Sequence, residues 1–539
     1  MELGVALLEA LKAEGAKEIF GLPGDFALPL FKTIEESGIL PCYTLSHEPA
    51  VGFAADAAAR LHRGISVAAV TYGAGALNMV NAVAAAYAER SPVVVVSGGP
   101  GAADRATGLG VHHQAKRLRS QLDIYREVTC AQAVLDDPER APEQIASVLA
   151  RCRAESRPVY LEVPRDVVDA ACEPVGCERV PVVDPDVLEA CVDEVATRIA
   201  SAERPVMLVG VEVRRYGVEQ AVEALAAKLG IEVFTTFMGR GLLAERAMPV
   251  GGTYMGGAGD LAVADAVESS DALLMLGVIM ADSNFGGPSV NRIQPKNAIV
   301  AADGEVQINY HTYNDLPLAD FVQGLVNRVA RRNAPPVQPE VPPTGLVKDD
   351  GVITPRDMAC AVNDLFAEHG RMPVASDMGD CIFTAMDFAP TRLVAPGYYA
   401  TMGFGVPAGL GLQVASRERV MIVVGDGAFQ MTGWELLNCG RYGWDPLVIV
   451  FNNASWEMLR AFQPESAFND LGMLDFAAIA TTLGGDGYTA STRAELAEVL
   501  ATAAATRGRF QLVDARIARG DISPRLENFV AGFKRMREG

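Results

Sequence analysis

Short, continuously apolar runs alternate with helical patterns along the whole chain, and this feature restricts the fold most. The runs include Glu18–Phe20, Ser66–Thr71, Val93–Ser97, Val206–Gly210, Ala272–Gly277, Val420–Val424 and Leu447–Phe451. A strand that is apolar at successive positions has no face to give to water. It must be covered on both sides, as in a parallel sheet flanked by helices. The expected class is therefore α/β, with doubly wound parallel sheets. At 539 residues the chain exceeds a single hydrophobic core, and about two to four domains are expected. Two segments read as linkers. Cys172–Asp186 holds several Pro, Val and Asp, and Asn333–Gly345 reads NAPPVQPEVPPTG. Proline there blocks regular structure and favours an extended connection. The linkers separate three domains of ordinary α/β size, at 1–175, 186–332 and 346–539.

Charge and targeting narrow the partners. The formal net charge is −21. Such a surface repels phosphate backbones and anionic lipid, so neither nucleic acid nor a membrane is an expected partner. Ile65–Ala88 carries no charge and is long enough to span a bilayer. It also contains Thr71, Gly73, Gly75, Asn78 and Asn81. It parses better as a buried strand (Ile65–Tyr72), a glycine turn and a helix from about Ala76. Nine cysteines without metal-ligand spacing suggest reduced thiols in a cytoplasmic protein. The N-terminus runs directly into a charged amphipathic pattern and has no signal-peptide character.

The last third carries the strongest chemical signal. An apolar strand leads into Gly425-Asp426-Gly427 and a helix, and a second strand ends in Asn452-Asn453. Polar clusters at the carboxyl ends of parallel strands are where open α/β sheets bind ligands. Asp426 offers a carboxylate, Asn453 a side-chain carbonyl, and the backbone near Ser455 a third oxygen. That donor set suits Mg²⁺, which shares its oxygen ligands with phosphates. Gly425 and Gly427 permit close backbone approach, and the following helix N-terminus favours negative charge. Taken singly, GDG is often only a turn and NN only a loop.

The first third contains IFGLPGDF (Ile19–Phe26), LSHEPAVGFAADAAAR (Leu45–Arg60), TYGAGALN (Thr71–Asn78) and GVHHQ (Gly110–Gln114). With GDG and NN, these segments make the chain resemble, over its whole length, the thiamine-diphosphate-dependent 2-oxo acid decarboxylases. The likeness is greatest to members acting on phenylpyruvate and indolepyruvate. It implies a pyrimidine-binding first domain, a structural or regulatory middle domain, and a third domain that binds diphosphate and Mg²⁺. It also implies a homo-oligomer, a dimer of dimers, acting on a small 2-oxo acid.

The same resemblance assigns roles to single residues. Glu48 would meet N1′ of the cofactor's aminopyrimidine and favour the tautomer that removes the C2 proton. As a residue, it precedes Pro49 and so lies at or near a helix N-cap, where it could serve only as a cap. Asp25, His112 and His113 would handle protons and the substrate carboxylate; Asp25 alone could be a turn residue. Thr71 would touch the cofactor. Asp380, in Asp377-Met378-Gly379-Asp380, would lie in the loop near the diphosphate. In Tyr398–Gly409, the Ala400 carbonyl would accept from the aminopyrimidine and Met402 would support the bent cofactor, unless it is ordinary core packing. Gly425, Asp426, Gly427, Ala428, Asn453 and Ser455 would hold the diphosphate and the metal, with Asp426, Asn453 and Ser455 the metal ligands.

Two departures from the family pattern bear on substrate. Pyruvate-specific relatives carry tryptophan where Ile382 follows Gly379-Asp380-Cys381, so a larger, aromatic substrate is expected. They also carry glutamate where Leu459 stands, six residues after Asn453. Leu459 is expected to line an apolar pocket. Glu457, two residues early, is expected to turn away, because that offset rotates a helical side chain by about 200°. Asp282, in GVIMADSNF, is a candidate replacement acid; capping of the next helix is the equal alternative. Three competing functions remain: a carboligating enzyme of the acetolactate synthase type, a non-catalytic regulatory paralogue, and a nicotinamide oxidoreductase. The last lacks support, because RPVMLVGVEVRRYG and GAGALN do not make a GxGxxG fingerprint.

Overall fold

The computed structural model describes residues 1–176, 183–286, 292–332 and 339–538. Residues 177–182 and 333–338 of the two expected linkers, Cys177 included, lie outside the described residues. The first sheet is formed by β1 (Ile19–Leu22), β2 (Cys42–Thr44), β3 (Ser66–Val70), β4 (Val93–Gly99), β5 (Ala131–Val134) and β6 (Val159–Pro164). Its order is β2-β1-β3-β4-β6-β5, and all pairs are parallel. β3, β4 and β6 are buried at every position, which is why they read as unbroken apolar runs. After β3 the chain turns at Gly73 and forms two short helices, Ala74–Asn78 and Val80–Ala88, where one was expected. The break lies at Met79, whose N–H reaches the Ala76 carbonyl three residues back, a tightened turn. Among the described residues no helix is long and apolar enough to cross a membrane.

The second sheet consists of β7 (Pro205–Val209), β8 (Glu232–Thr236), β9 (Thr253–Tyr254), β10 (Ala272–Leu276), β11 (Ala298–Ala302), β12 (Glu305–Ile308) and β13 (His311–Tyr313). Its order is β13-β12-β11-β10-β7-β8-β9. Here the expectation of purely parallel pairing fails at one edge, where β11, β12 and β13 run antiparallel. The cause is local. Asp303 and Gly304 both have positive φ (57° and 76°), the two-residue turn whose twist matches a hairpin.

The third sheet has β14 (Val374–Ser376), β15 (Leu393–Val394), β16 (Met421–Gly425), β17 (Leu447–Asn452), β18 (Asp486–Ala490) and β19 (Gln511–Arg516). It is ordered β15-β14-β16-β17-β19-β18 and is entirely parallel. The chain forms two compact units. The first holds the first sheet together with residues 406–418 and 432–444, and the second holds the other two sheets.

Candidate active site

The first unit gathers the acid–base residues. Asp25 opens a single 3-10 turn, Asp25–Ala27, just beyond β1. Its carboxylate forms a short hydrogen bond with His112 Nε2, and His113 Nε2 lies 3.4 Å from Oδ1. The His112 ring stacks on Phe26 at 4.6 Å, which fixes its plane. His113 has φ 65°, uncommon for a residue with a side chain. It presses on Gly73, where an added Cβ would sit 2.0 Å from the His113 carbonyl oxygen. Burial acts to raise the Asp25 carboxyl, but the His112 hydrogen bond and charge, the Phe26 N–H and His113 together hold it below its usual value.

Glu48 is the first residue of the helix Glu48–Leu61, with Pro49 second and His47 as N-cap. A carboxylate is favoured there by the helix dipole. Asn78 Nδ2 donates to Glu48 Oε2 at 2.8 Å, an orienting contact from a residue type with no separate sequence signal. A Cβ added to Gly75 would meet both Thr71 Cγ2 (3.0 Å) and Glu48 Oε1 (3.5 Å), so these two residues share one small space. Thr71 Oγ1 is buried there without a hydrogen-bond partner. A buried hydroxyl left unsatisfied is costly, and a polar ring beside it would satisfy it. The residues present therefore fit an aminopyrimidine.

The second unit holds a cavity of about 280 Å³ at the carboxyl ends of β16 and β17. Met378–Cys381, Ala400, Met402, Gly425–Ala428, Asn453 and Ser455–Leu459 form its wall. Gly425 pairs with Phe451 in register, so Asp426 and the Asn452-Asn453 pair emerge side by side. Asp426 Oδ1 accepts from the Gly427 N–H at 2.8 Å, whereas Oδ2 is buried without a hydrogen-bond partner among the described residues. Burial pushes this carboxyl up to about 6, against the pull of nearby backbone N–H groups. A hard divalent cation is the natural partner for such an oxygen, so the donor set fits Mg²⁺. Asn453 Oδ1 accepts from the Ser455 N–H at 3.1 Å across Ala454, itself at φ 50°. Asn452 is a structural pin, donating to Asp514 (2.7 Å) and to the Leu474 carbonyl (3.0 Å). A Cβ on Gly427 would lie 2.1 Å from the Trp456 ring.

The loop that carries Ala400 is anchored from below. Asp377, fully buried, accepts from the N–H groups of Met378 (2.8 Å), Gly403 (3.0 Å) and Gly405 (2.6 Å). Burial pushes it up to about 7. Ala400 adopts φ 58°, a strained choice for alanine of the kind concentrated at functional sites. Asp380 is on the cavity wall, but both its oxygens are taken by the Ser523 N–H (2.8 Å) and hydroxyl. It ties down the C-terminal segment, and burial pushes it up to about 6.

Two expectations change, those for Glu457 and Ile382. Leu459 lines the cavity and is half exposed. Glu457 does not turn away: it is 5% exposed, lines the same cavity and accepts from the Gly520 N–H at 3.0 Å. The cavity wraps the N-terminal end of the helix Glu457–Phe462, where both residues reach the wall despite their angular offset. Ile382 is not on this wall; it is buried in an apolar cluster with Phe237, Phe383, Met386, Leu526 and Val530. Asp282, exposed, begins the short helix Asp282–Phe285, whose N-cap position is Ala281 rather than Asp282, and among the described residues it accepts from the Ser283 N–H at 2.7 Å. It does not line the cavity.

Comparison with known proteins agrees with this arrangement. Residues 1–124 match the model of the thiamine pyrophosphate enzyme N-terminal TPP binding domain, 192–328 the central domain, and 377–515 the C-terminal TPP binding domain. The chain is 57% identical over 541 residues to an indole-3-pyruvate decarboxylase of Azospirillum brasilense, covering 99% of each. It is 30% identical to an alpha-keto-acid decarboxylase of Mycobacterium avium, covering 97% of this chain and 95% of that one. It is 29% identical to a pyruvate decarboxylase of Aspergillus parasiticus, covering 91% and 89%. A full-length likeness of this degree, on a site with these donors, makes the chain a member of the thiamine-diphosphate-dependent 2-oxo acid decarboxylases.

Proposed function

We propose that the protein converts aromatic 2-oxo acids, phenylpyruvate and indolepyruvate, to the aldehyde and CO₂, using thiamine diphosphate and Mg²⁺. The observation that carries the reaction class is the cluster in which Asp25 is hydrogen-bonded to His112 and faces His113 at 3.4 Å. Two imidazoles beside a carboxylate suit protonation of carbon after CO₂ loss better than attack on a second oxo acid. The substrate class follows the name of the Azospirillum relative.

When bound, thiamine diphosphate supplies the nucleophile for the 2-oxo carbon and the electron sink for CO₂ loss. Glu48, oriented by Asn78, would hold a proton at N1′ of the aminopyrimidine, and Thr71 Oγ1 would gain a partner. The Ala400 carbonyl would accept from the exocyclic amine, and Met402 would support the ring. Asp426 Oδ2, the Asn453 carbonyl and the Ser455 backbone carbonyl would hold Mg²⁺, and Gly425, Gly427 and Ala428 would present backbone to the diphosphate. His112 and His113 orient the substrate carboxylate and deliver the proton, while Asp25 stays ionised and aligns them. Leu459 contributes apolar wall to the side-chain pocket. Asp282 is a further candidate acid in place of the family's glutamate.

We further read the chain as three domains, 1–175, 186–332 and 346–539, of a cytoplasmic enzyme. The pyrimidine end of the cofactor would sit on one chain and its diphosphate end on a second, which makes a dimer the minimal active form and a dimer of dimers the expected assembly. The test is a substrate panel with both cofactors added. Phenylpyruvate and indolepyruvate should yield aldehyde with kcat/KM well above that for pyruvate. Acyloin as the main product would overturn the reaction class, and equal or better efficiency on pyruvate would overturn the substrate class.

A further inference from the structure

We propose that Glu435 is a positioning residue for Glu48: its carboxylate clamps the backbone at Ser46, shortly before Glu48, and so fixes the start of the helix that presents it. The inference rests on the reading of Glu48 as the group that serves N1′.

The helix Glu48–Leu61 begins without help from its own N-cap, because His47 makes no side-chain capping bond. Glu435, elsewhere in the same unit, instead holds the residue that precedes this N-cap. It lies on the 3-10 segment Gly433–Leu437 and is 2% exposed. The Ser46 N–H donates to both its oxygens, at 2.9 and 3.3 Å. Asn438 Nδ2 locks the carboxylate at 2.9 Å and also reaches Ser46 Oγ at 3.1 Å. The attachment continues upstream. Tyr442 OH accepts from the Thr44 N–H at 2.7 Å, and Arg441 Nη2 donates to Thr44 Oγ1 at 2.8 Å. Thr44 and Ser46 are thus tied to 435–442, and Glu48 follows Ser46 by two residues.

A buried carboxylate is a costly way to hold one backbone amide unless the geometry matters. Charge-assisted bonds are roughly twice as strong as neutral ones, so the ionised form clamps best. Burial pushes Glu435 up to about 7, against the pull of Ser46, Asn438 and His47. The clamp therefore weakens as pH falls through neutrality. The titratable and charged groups around it are His47 and Glu48 on the segment it holds, and Arg441 and Tyr442 on the following helix. Arg441 Nη1 is engaged by Asn438 Oδ1 at 3.1 Å.

The test compares wild type with Glu435→Gln, which keeps the shape but lacks the charge and one acceptor, and with Asn438→Ala, which frees the carboxylate. Hydrogen exchange of the amides in residues 44–50 is measured on the cofactor-free protein. The C2 deuterium exchange of bound thiamine diphosphate is measured on the holoenzyme without substrate. Both variants should lose about tenfold in amide protection and about tenfold in the C2 exchange rate, with KM for substrate little changed. For Glu435→Gln the deficit should narrow below pH 6, where wild-type Glu435 is itself protonated. Wild-type amide protection in both variants would overturn the clamp. Lost protection with normal C2 exchange would reduce Glu435 to a structural staple and equally overturn the positioning role. Glu48→Gln separates the premises: if it leaves C2 exchange fast, the reading of Glu48 fails regardless of Glu435.

Discussion

Asp426 shows what one unsatisfied oxygen implies. Its Oδ2 is buried without a hydrogen-bond partner, a burden of about 1–3 kcal/mol for such a group. Asp426→Ala should therefore abolish Mg²⁺-dependent retention of thiamine diphosphate while leaving the cofactor-free protein at least as stable. Equilibrium dialysis and a thermal melt measure the two effects, and retention of cofactor by the variant would remove Asp426 from the metal set. Asp282 is the opposite case, an exposed carboxylate whose one bond among the described residues is to the next residue's N–H. A catalytic Asp282 predicts that Asp282→Asn loses about a hundredfold in turnover with an unchanged melting temperature. A structural Asp282, in the first turn of its helix after the N-cap Ala281, predicts about 0.3–1 kcal/mol of lost stability with turnover per folded enzyme preserved. At this scale the residue types were legible in the sequence, as were their strand-end positions. The partners that decide their states were not, since Asn78 for Glu48, Ser523 for Asp380 and Gly520 for Glu457 lie 30, 143 and 63 positions away.

Elements place these residues through close approaches that no side chain tolerates. At Gly427 the first turn of the helix Asp426–Thr432 lies against Trp456, which follows β17. Gly427→Ala should force the indole to move, costing about 1–3 kcal/mol as overpacking does, and should weaken cofactor binding in parallel. The chain has three tryptophans, so a change in emission on mutation can be traced with a Trp456→Phe control. A variant with unchanged emission, stability and affinity would show that the contact is not restrictive. Helix and strand starts were mostly readable from apolar runs and turn residues. The antiparallel edge was missed although Asp303-Gly304, a strong hairpin signal, stood in the chain; the surrounding parallel pattern outweighed it.

Over the whole molecule, the buried acids act together. Asp377, Asp380, Asp426 and Glu435 are pushed up to between about 6 and 7, each chiefly by burial. A carboxyl whose folded value exceeds its unfolded one gives stability that is present at low pH and is lost as pH rises through the folded value. The acids held low, such as Asp25 and Glu340, act in the opposite sense, but only below about pH 4.5. Between pH 5 and 8 the cofactor-free protein should therefore lose stability as pH rises. Mg²⁺ with thiamine diphosphate should flatten that slope by compensating the Asp426 charge. Thermal melts at three pH values, with and without cofactor, test this; a cofactor-free melting temperature that rises from pH 5 to 8 would contradict it.

The sequence by itself determined the α/β class, the strand-end location of the residues proposed for metal and diphosphate, and the family. Those follow from local periodicity and from short motifs whose chemistry is carried by neighbouring residues. Only the tertiary structure decided which carboxylates are free and which are engaged. It left Asp426 Oδ2 without a partner, occupied Asp380 with Ser523, brought Glu457 to the cavity wall and buried Ile382 away from it. Each of those outcomes depends on which distant backbone N–H or apolar side chain arrives beside the residue. That is a property of packing between elements, and local pattern carries no record of it.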